Sequence, residues 1–98
     1  MNRQKIIQAL SCLGKFMNQF QFPDSPRDNT DLNDLFYDEF QTTITSAKIY
    51  NGWFEERSVR RSIFALSKWL KEDTLSTWSF EYKWNPVPKK IAIIMAGN

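Results

Sequence analysis

Histidine is absent from the 98-residue sequence, and Cys12 is the only cysteine. These absences exclude Ser-His-Asp triads, Cys-His pairs and imidazole metal sites within these residues, and they exclude an intrachain disulfide. A single cysteine suits a reducing compartment. Glycine is also scarce, with three in the chain, and no G-x-G-x-x-G phosphate loop is present. Catalysis by a histidine-activated nucleophile is therefore excluded within this sequence.

Long apolar runs and strong charge are missing as well. No stretch approaches the roughly eighteen apolar residues of a membrane span, and Gln8 and Ser11 interrupt the apolar residues that a secretory signal would need. The segment before Asp24 has no acidic residue, but it is richer in Gln than in Arg, which disfavours a transit peptide. The net charge of +2 is too small to create a nucleic-acid-binding field by itself, and no block of five like charges is present, so charge says little about partners; we expect no nucleic-acid partner. We expect a soluble cytoplasmic protein with no membrane span and no metal.

Aromatic residues are abundant instead. Four tryptophans and eight phenylalanines supply enough apolar surface for a core, which argues against disorder. A chain of this length forms one small domain at most. The periodicity predicts a mostly α chain with helices at about 2–20, 30–50, 55–71 and 73–79, together forming a helical N-terminal subdomain over residues 1–84.

The first predicted helix has one apolar face. Its buried stripe is expected to consist of Ile6, Leu10, Leu13, Met17 and Phe20, widened by Ile7 and Phe16. Gly14 would cost roughly 1 kcal/mol against Ala in mid-helix, so it predicts a point of close packing. Cys12 lies between these positions, where a small packed or half-exposed side chain is favoured over a nucleophile.

The second predicted helix follows a loop over residues 22–29 and has its start signal at Asn29 or Thr30. Its expected stripe is Leu32, Phe36, Phe40, Thr43 and Ala47, with Leu35 and Ile44 beside it. Three threonines lower its helix propensity, which predicts a kinked or shortened helix. Asn51 and Gly52 should close it, because both residue types tolerate a left-handed backbone.

The third predicted helix buries Val59, Ile63, Leu66 and Leu70. Its opposite side carries Arg57, Arg60, Arg61, Lys68 and Lys71. That side is either a solvated face, which the neighbouring Glu55 and Glu56 favour, or a phosphate-binding face.

Carboxylates on the second predicted helix also allow two interpretations. Asp34, Asp38 and Glu39 could act as an acid/base cluster, but a solvated surface is the favoured interpretation of acidic residues on a polar helix face.

The fourth predicted helix is capped by Asp73 and is followed by aromatic residues at alternate positions, Phe80, Tyr82 and Trp84. This alternation predicts an extended segment that pins the following linker against the helices. The alternative is a stacking platform for bases, but no glycine-aromatic motif or basic groove accompanies it.

The last ten residues form the most apolar stretch. Residues 91–96 follow prolines at Pro86 and Pro88 and predict a strand that is buried on both faces, as in a parallel sheet covered by helices. No other segment predicts a partner strand, so its neighbours must lie beyond Asn98 or on another chain. We therefore expect residues 85–98 to be the linker and first strand of an α/β domain that is truncated after Asn98.

Three segments carry a resemblance to a known family. They are residues 51–54 (NGWF), the apolar pattern of residues 59–78 that ends in LSTW, and residues 90–98 (KIAIIMAGN). Together they resemble the N-terminal region of bacterial acyl-CoA reductases of the LuxC type, which belong to the aldehyde dehydrogenase superfamily. The resemblance covers most of the chain from Asn51 onward and implies an aldehyde dehydrogenase-like α/β domain after the helices.

The resemblance implies an oxidoreductase of fatty acid metabolism. The parent polypeptide would reduce a fatty acyl-CoA or acyl thioester to an aldehyde with NADPH, through a thioester on a downstream cysteine that Cys12 does not replace. Asn98 matches the asparagine that donates a side-chain N–H to the oxyanion in the superfamily, although Gly97-Asn98 is also a common turn after a strand. The parent polypeptide could form a homo-oligomer or bind an acyl-transfer partner protein, and the sequence does not decide between these. The 98-residue chain alone is predicted to be inactive.

Two other functions compete with this one. The chain could be a small helical interaction module that adds its C-terminal strand to the sheet edge of a partner. A more remote alternative is nucleic-acid binding through the face that carries Arg60 and Arg61. The genomic reading frame beyond Asn98 distinguishes the first two, because an enzyme fragment continues into a long α/β sequence with a cysteine and a module meets a stop codon.

Overall fold

A computed structural model describes residues 2–28, 31–85 and 87–95. Within these ranges the chain is mostly helical, as predicted, and none of the described residues lies in a strand. The helices are α1 (Arg3–Met17), α2 (Leu32–Tyr50), α3 (Glu56–Trp69) and α4 (Glu72–Phe80), and a 3₁₀ turn (Asn18–Phe20) continues α1. The predicted boundaries lie close to these, and the start signal at Asn29 and Thr30 lies outside the described residues.

The first helix begins and ends with local hydrogen bonds. Asn2 precedes it, and the Asn2 side-chain oxygen accepts the backbone N–H of Lys5 at 2.8 Å, which satisfies one of the free N–H groups of the first turn. At the other end the backbone N–H of Asn18 bonds to the carbonyl of Gly14, and the chain tightens into the 3₁₀ turn. This tightening directs Phe20 into the centre of the molecule.

The core is a cluster of aromatic rings around Phe20, which is fully buried. The ring centroid of Phe20 lies 4.7 Å from that of Phe40 and 5.0 Å from those of Phe16 and Tyr37. Ile44 completes the buried set, and the partly buried side chains packed against it are Leu32, Phe40, Val59 and Ile63. The core therefore joins α1, the 3₁₀ turn, α2 and α3.

Helix α3 is the central packing element, because it contacts α1, the 3₁₀ turn and α2, while α4 packs against α1. Gly14 permits a close approach of α1 to Leu70, the residue that follows α3. A Cβ atom at position 14 would lie 2.7 Å from the Leu70 Cβ and still closer to the Leu70 carbonyl oxygen. The prediction that Gly14 marks a close-packing point is confirmed.

The predicted buried faces are partly wrong. Leu13, Leu35, Phe36, Thr43 and Leu66 were expected inside and are exposed, whereas Tyr37 was not expected inside and is buried. Ile7, Phe16 and Ile44 are buried, as predicted. On α1, Ile7 and Gly14 lie one above the other two turns apart and are both buried, and Gly14 faces Leu70. Periodicity finds an apolar face but does not fix which of two adjacent stripes meets the neighbouring helix.

The second helix is neither shortened nor closed as expected. It continues to Tyr50, and the hydroxyl groups of Thr42 and Thr43 donate to backbone carbonyls four residues earlier. Asn51 is extended (φ −150°, ψ 114°) rather than left-handed, and no described glycine has a positive φ. Instead, the Asn51 side chain accepts the Trp53 N–H at 3.0 Å, which forms a turn toward α3.

The fourth helix also differs from its prediction. It begins at Glu72, so Asp73 lies in the first turn, where its carboxylate accepts the N–H of Thr74 rather than capping the helix. Phe80 is its last residue, and the alternating aromatic segment is therefore helical at its start. The other two aromatic residues of that segment, Tyr82 and Trp84, lie after the helix.

Candidate functional site

The segment that carries the resemblance at the C-terminal end is described up to Met95. Asn98, the predicted oxyanion donor, lies outside the described residues, together with Ala96 and Gly97. Residues 91–95 form no strand. A strand needs a neighbour to pair its N–H and C=O groups, and no described segment of this chain supplies one.

The apolar side chains of this segment face solvent. Ile91, Ile93 and Met95 are about four-fifths exposed, and Ile94 is 99% exposed. No described residue from Pro88 to Met95 makes a hydrogen bond to another described residue. Four large apolar side chains in sequence thus remain in contact with water, which is unfavourable by about 1.5–3 kcal/mol for each relative to burial.

A second group of exposed apolar side chains precedes this segment. All four tryptophans of the chain are exposed, from Trp84 at 45% to Trp53 at 90%. The rings of Trp78 and Tyr82 lie 5.3 Å apart at the end of α4, but Phe80, Tyr82 and Trp84 are all exposed rather than packed against the helices as predicted. Trp78, Tyr82 and Trp84 thus leave an exposed aromatic stretch that precedes the apolar C-terminal segment.

The basic face of α3 is not uniformly solvated. Arg60 is 2% exposed and lies among three elements, which contradicts its predicted place on a solvated face. Its guanidinium donates to the Phe20 carbonyl oxygen at 3.2 Å, to the Gln41 side-chain oxygen at 2.7 Å and to the Glu56 carboxylate at 3.0 Å. These acceptors satisfy a charge that would otherwise be costly to bury. The sequence offered one local signal, the i,i+4 pair of Glu56 and Arg60.

The remaining basic residues of this face are solvent-exposed, as predicted. Arg57 and Arg61 make no hydrogen bond or ion pair with any described residue. Lys68 lies over the Phe64 ring, with its Nζ atom 4.5 Å from the ring centroid. Together with Lys71, which precedes α4, these side chains leave the outer face of α3 positively charged.

The other candidate residues are not brought together. Asp34, Asp38 and Glu39 are exposed on α2, and Asp38 lies 3.6 Å from Arg27 in a surface ion pair. Cys12 is exposed on α1 and has no hydrogen-bond partner among the described residues. The described part of the chain holds no group of three residues placed to bind a metal ion.

None of the described helices has the length and apolar character needed to cross a membrane. Comparisons of the chain with protein-family models, with curated proteins and with solved structures gave no match.

Proposed function

We propose that this chain is the N-terminal part of an acyl-CoA reductase, which reduces a fatty acyl-CoA or acyl thioester to an aldehyde with NADPH through a cysteine thioester. The proposal rests on the resemblance of residues 51–54, 59–78 and 90–98 to the LuxC-type family. The observation that supports it most is the exposure of Ile91 to Met95, because an apolar segment at the end of a folded helical unit is what an unpaired interior strand would leave.

The helical unit would then support the start of an α/β body. In the complete enzyme, residues 91–96 would form the first parallel strand and bury the isoleucines on both faces. Trp78 on α4 and Trp84 after it are exposed and close to this segment in sequence, and they would face the same body. One neighbouring α/β body would thus cover both these rings and the isoleucines.

Asn98 is the residue of this chain proposed to take part in the chemistry. When the downstream thiolate attacks the acyl carbonyl, negative charge develops on the carbonyl oxygen, and a fixed side-chain N–H stabilises that charge. Asn98 would donate this hydrogen bond from the turn that follows the strand. The CoA thiolate then leaves, and the acyl group remains as a thioester on the enzyme.

The dinucleotide site is proposed to lie outside these residues. The three glycines, Gly14, Gly52 and Gly97, are too widely spaced to form a phosphate-binding loop, and no described strand precedes a helix N-terminus. Cys12 is a poor substitute for the nucleophile because no described side chain contacts its thiol to activate it. The 98-residue chain is therefore expected to be inactive by itself.

The test uses the polypeptide encoded by the reading frame that contains residues 1–98. We expect acyl-CoA-dependent oxidation of NADPH, and Asn98→Ala should lower kcat by about 10²–10³-fold, the usual effect of losing one oxyanion donor. Asn51→Ala is the matched control, since Asn51 acts only in the turn before α3, and it should leave kcat unchanged. Activity in the 98-residue chain that Cys12→Ala abolishes would contradict the proposal.

A second candidate function is favoured by the same segment. Residues 88–95 present N–H and C=O groups without partners among the described residues, which suits addition of a strand to the sheet edge of another protein. A stop codon directly after Asn98 and a soluble complex in which residues 91–95 gain hydrogen-exchange protection would favour this module over the reductase.

A further inference from the structure

A cleft of about 520 Å³ lies between the loop after the 3₁₀ turn and the first half of α3. Phe22 and Pro23 line its loop side, and Arg57, Arg61 and Phe64 line its helix side. The volume falls within the range of small-molecule sites, roughly 300–1,000 Å³. The cleft thus combines aromatic rings with two arginines on successive turns of one helix.

The walls of this cleft are held in place by Arg60. Its guanidinium is bonded to the Phe20 carbonyl on the loop side and to Glu56 on the helix side, and it is almost fully buried. The loop is further fixed by two bonds between Phe22 and Ser25, in which the Phe22 N–H donates to the Ser25 hydroxyl at 2.9 Å and the Ser25 N–H donates to the Phe22 carbonyl at 3.1 Å. The cleft is therefore largely formed before any ligand binds.

The positive charge of Arg57 and Arg61 in the cleft is not balanced by an acidic partner among the described residues. Glu56 is the acidic residue that lines it, and its carboxylate is bonded to Arg60. Arg57 and Arg61 have no partner among the described residues, although they lie at i,i+4 spacing, where like charges repel by a few tenths of a kcal/mol. An anion between the two guanidinium groups would remove this repulsion.

We propose that this cleft binds a small-molecule phosphate monoester, with the phosphate between Arg57 and Arg61 and the organic body against Phe22. Guanidinium groups match the geometry of phosphate oxygens and form charge-assisted hydrogen bonds with them. The exposed Phe22 ring offers an apolar surface to a planar body such as a base. This site is independent of the proposed reductase chemistry, because neither Asn98 nor a downstream cysteine takes part in it; Arg61 and Phe64 do lie within residues 59–78, which carry part of the family resemblance.

The binding test uses the 98-residue chain and three probes: adenosine monophosphate, adenosine and inorganic phosphate. Calorimetric titration should give a dissociation constant below about 1 mM for adenosine monophosphate and values at least tenfold higher for the other two. The affinity should fall as salt is added. Equal affinities for adenosine and adenosine monophosphate would overturn the phosphate subsite, and equal affinities for phosphate and adenosine monophosphate would overturn the contact with Phe22.

Variants test the location of the site. Arg57→Gln with Arg61→Gln should lower the affinity for adenosine monophosphate at least tenfold, while the thermal midpoint stays unchanged because both side chains are exposed. The matched control, Lys5→Gln with Lys48→Gln, removes the same charge away from the cleft and should keep the affinity within twofold. Phe22→Ala should weaken adenosine monophosphate and leave inorganic phosphate unaffected. An equal loss in the control and the arginine variant, or no binding at all, would overturn the proposal.

Discussion

Two regions of this chain use their aromatic residues in opposite ways. In the core region, residues 3–69, the rings of Phe16, Phe20 and Tyr37 are buried against one another. In the C-terminal region, residues 72–95, no described residue is fully buried, and the large apolar side chains from Trp78 to Met95 face solvent. The first region therefore has a closed aromatic core, although it also carries exposed rings such as Trp53, whereas the second region has no buried ring among its described residues.

The difference shows that the C-terminal region carries apolar side chains typical of a protein core, but no described part of the chain buries them. Its tryptophans, isoleucines and Met95 would together bury on the order of 1,000 Å² if a neighbour covered them, since a large aromatic side chain alone buries about 150–250 Å². A stable interface needs about 800 Å² from each partner. The following predictions test whether the two regions contribute as unequally to stability as their burial indicates.

The largest effect is expected at the centre of the core. Phe20→Ala should lower the free energy of unfolding by about 3–5 kcal/mol, because it removes a fully buried ring and leaves a cavity among three others. Phe80→Ala removes the same ring from the C-terminal region, where it is 77% exposed, and should change the free energy of unfolding by less than about 0.5 kcal/mol. Denaturant unfolding followed by circular dichroism measures both, and equal losses would mean that exposure does not separate the regions.

Replacement of the buried arginine should have the next largest effect. Arg60→Met keeps most of the side-chain volume but leaves the Phe20 carbonyl and the Gln41 side chain without their donor. Each buried polar group without a partner lowers the free energy of unfolding by about 1–3 kcal/mol. Arg57→Met on the exposed side of α3 is the matched control and should be neutral within about 0.5 kcal/mol. A neutral Arg60→Met would show that the three acceptors find other donors.

Close packing at Gly14 gives a smaller loss. Gly14→Ala gains about 0.5–1 kcal/mol in helix propensity, but its Cβ would collide with Leu70, and overpacking costs about 1–3 kcal/mol. We expect a net loss of about 1 kcal/mol. Gly52→Ala is the control, because a Cβ there meets no atom within 4 Å, and it should not destabilise the chain. Stabilisation by Gly14→Ala would mean that α1 and α3 separate easily.

The smallest effect is expected in the C-terminal region. Removal of residues 89–98 should leave helical content and the thermal midpoint unchanged and should raise solubility, because the described side chains of this stretch, residues 89–95, are exposed to solvent. Ile93→Asp should likewise be neutral in the 98-residue chain, whereas in the parent polypeptide it should cost several kcal/mol if the strand is buried there. An unfolded 1–88 fragment beside a cooperatively melting 1–98 chain would contradict this independence.

Local features of the structure were predicted better than long-range ones. The four helices and the end of α2 at Tyr50 follow from apolar periodicity and turn residues, which are encoded within a few positions of each other. The burial of Arg60 could not be predicted in the same way, since its acceptor on Phe20 lies 40 residues earlier in the chain. The close contact at Gly14 depends likewise on Leu70, which only the folded chain brings to Gly14.

The residues of the candidate site were predicted from the sequence, but their secondary structure and burial were not. The apolar character of residues 91–95 was evident from the sequence, and their lack of strand structure follows from the absence of a neighbouring strand among the described residues. The division of the basic face into a buried Arg60 and exposed Arg57 and Arg61 was missed. Composition assigns the same character to all three, and only the distances to Phe20, Gln41 and Glu56 separate them.

The bonds of Arg60 also bear on the order in which the chain folds. Its acceptors come from the end of the 3₁₀ turn, from α2 and from α3, so the guanidinium can leave water without penalty only when all three have assembled. An intermediate in which α3 docks on α1 before α2 arrives would hold a partly unsatisfied charge away from solvent. We expect such an intermediate to be sparsely populated, and the helices of the core region to form and dissolve together in a single kinetic step.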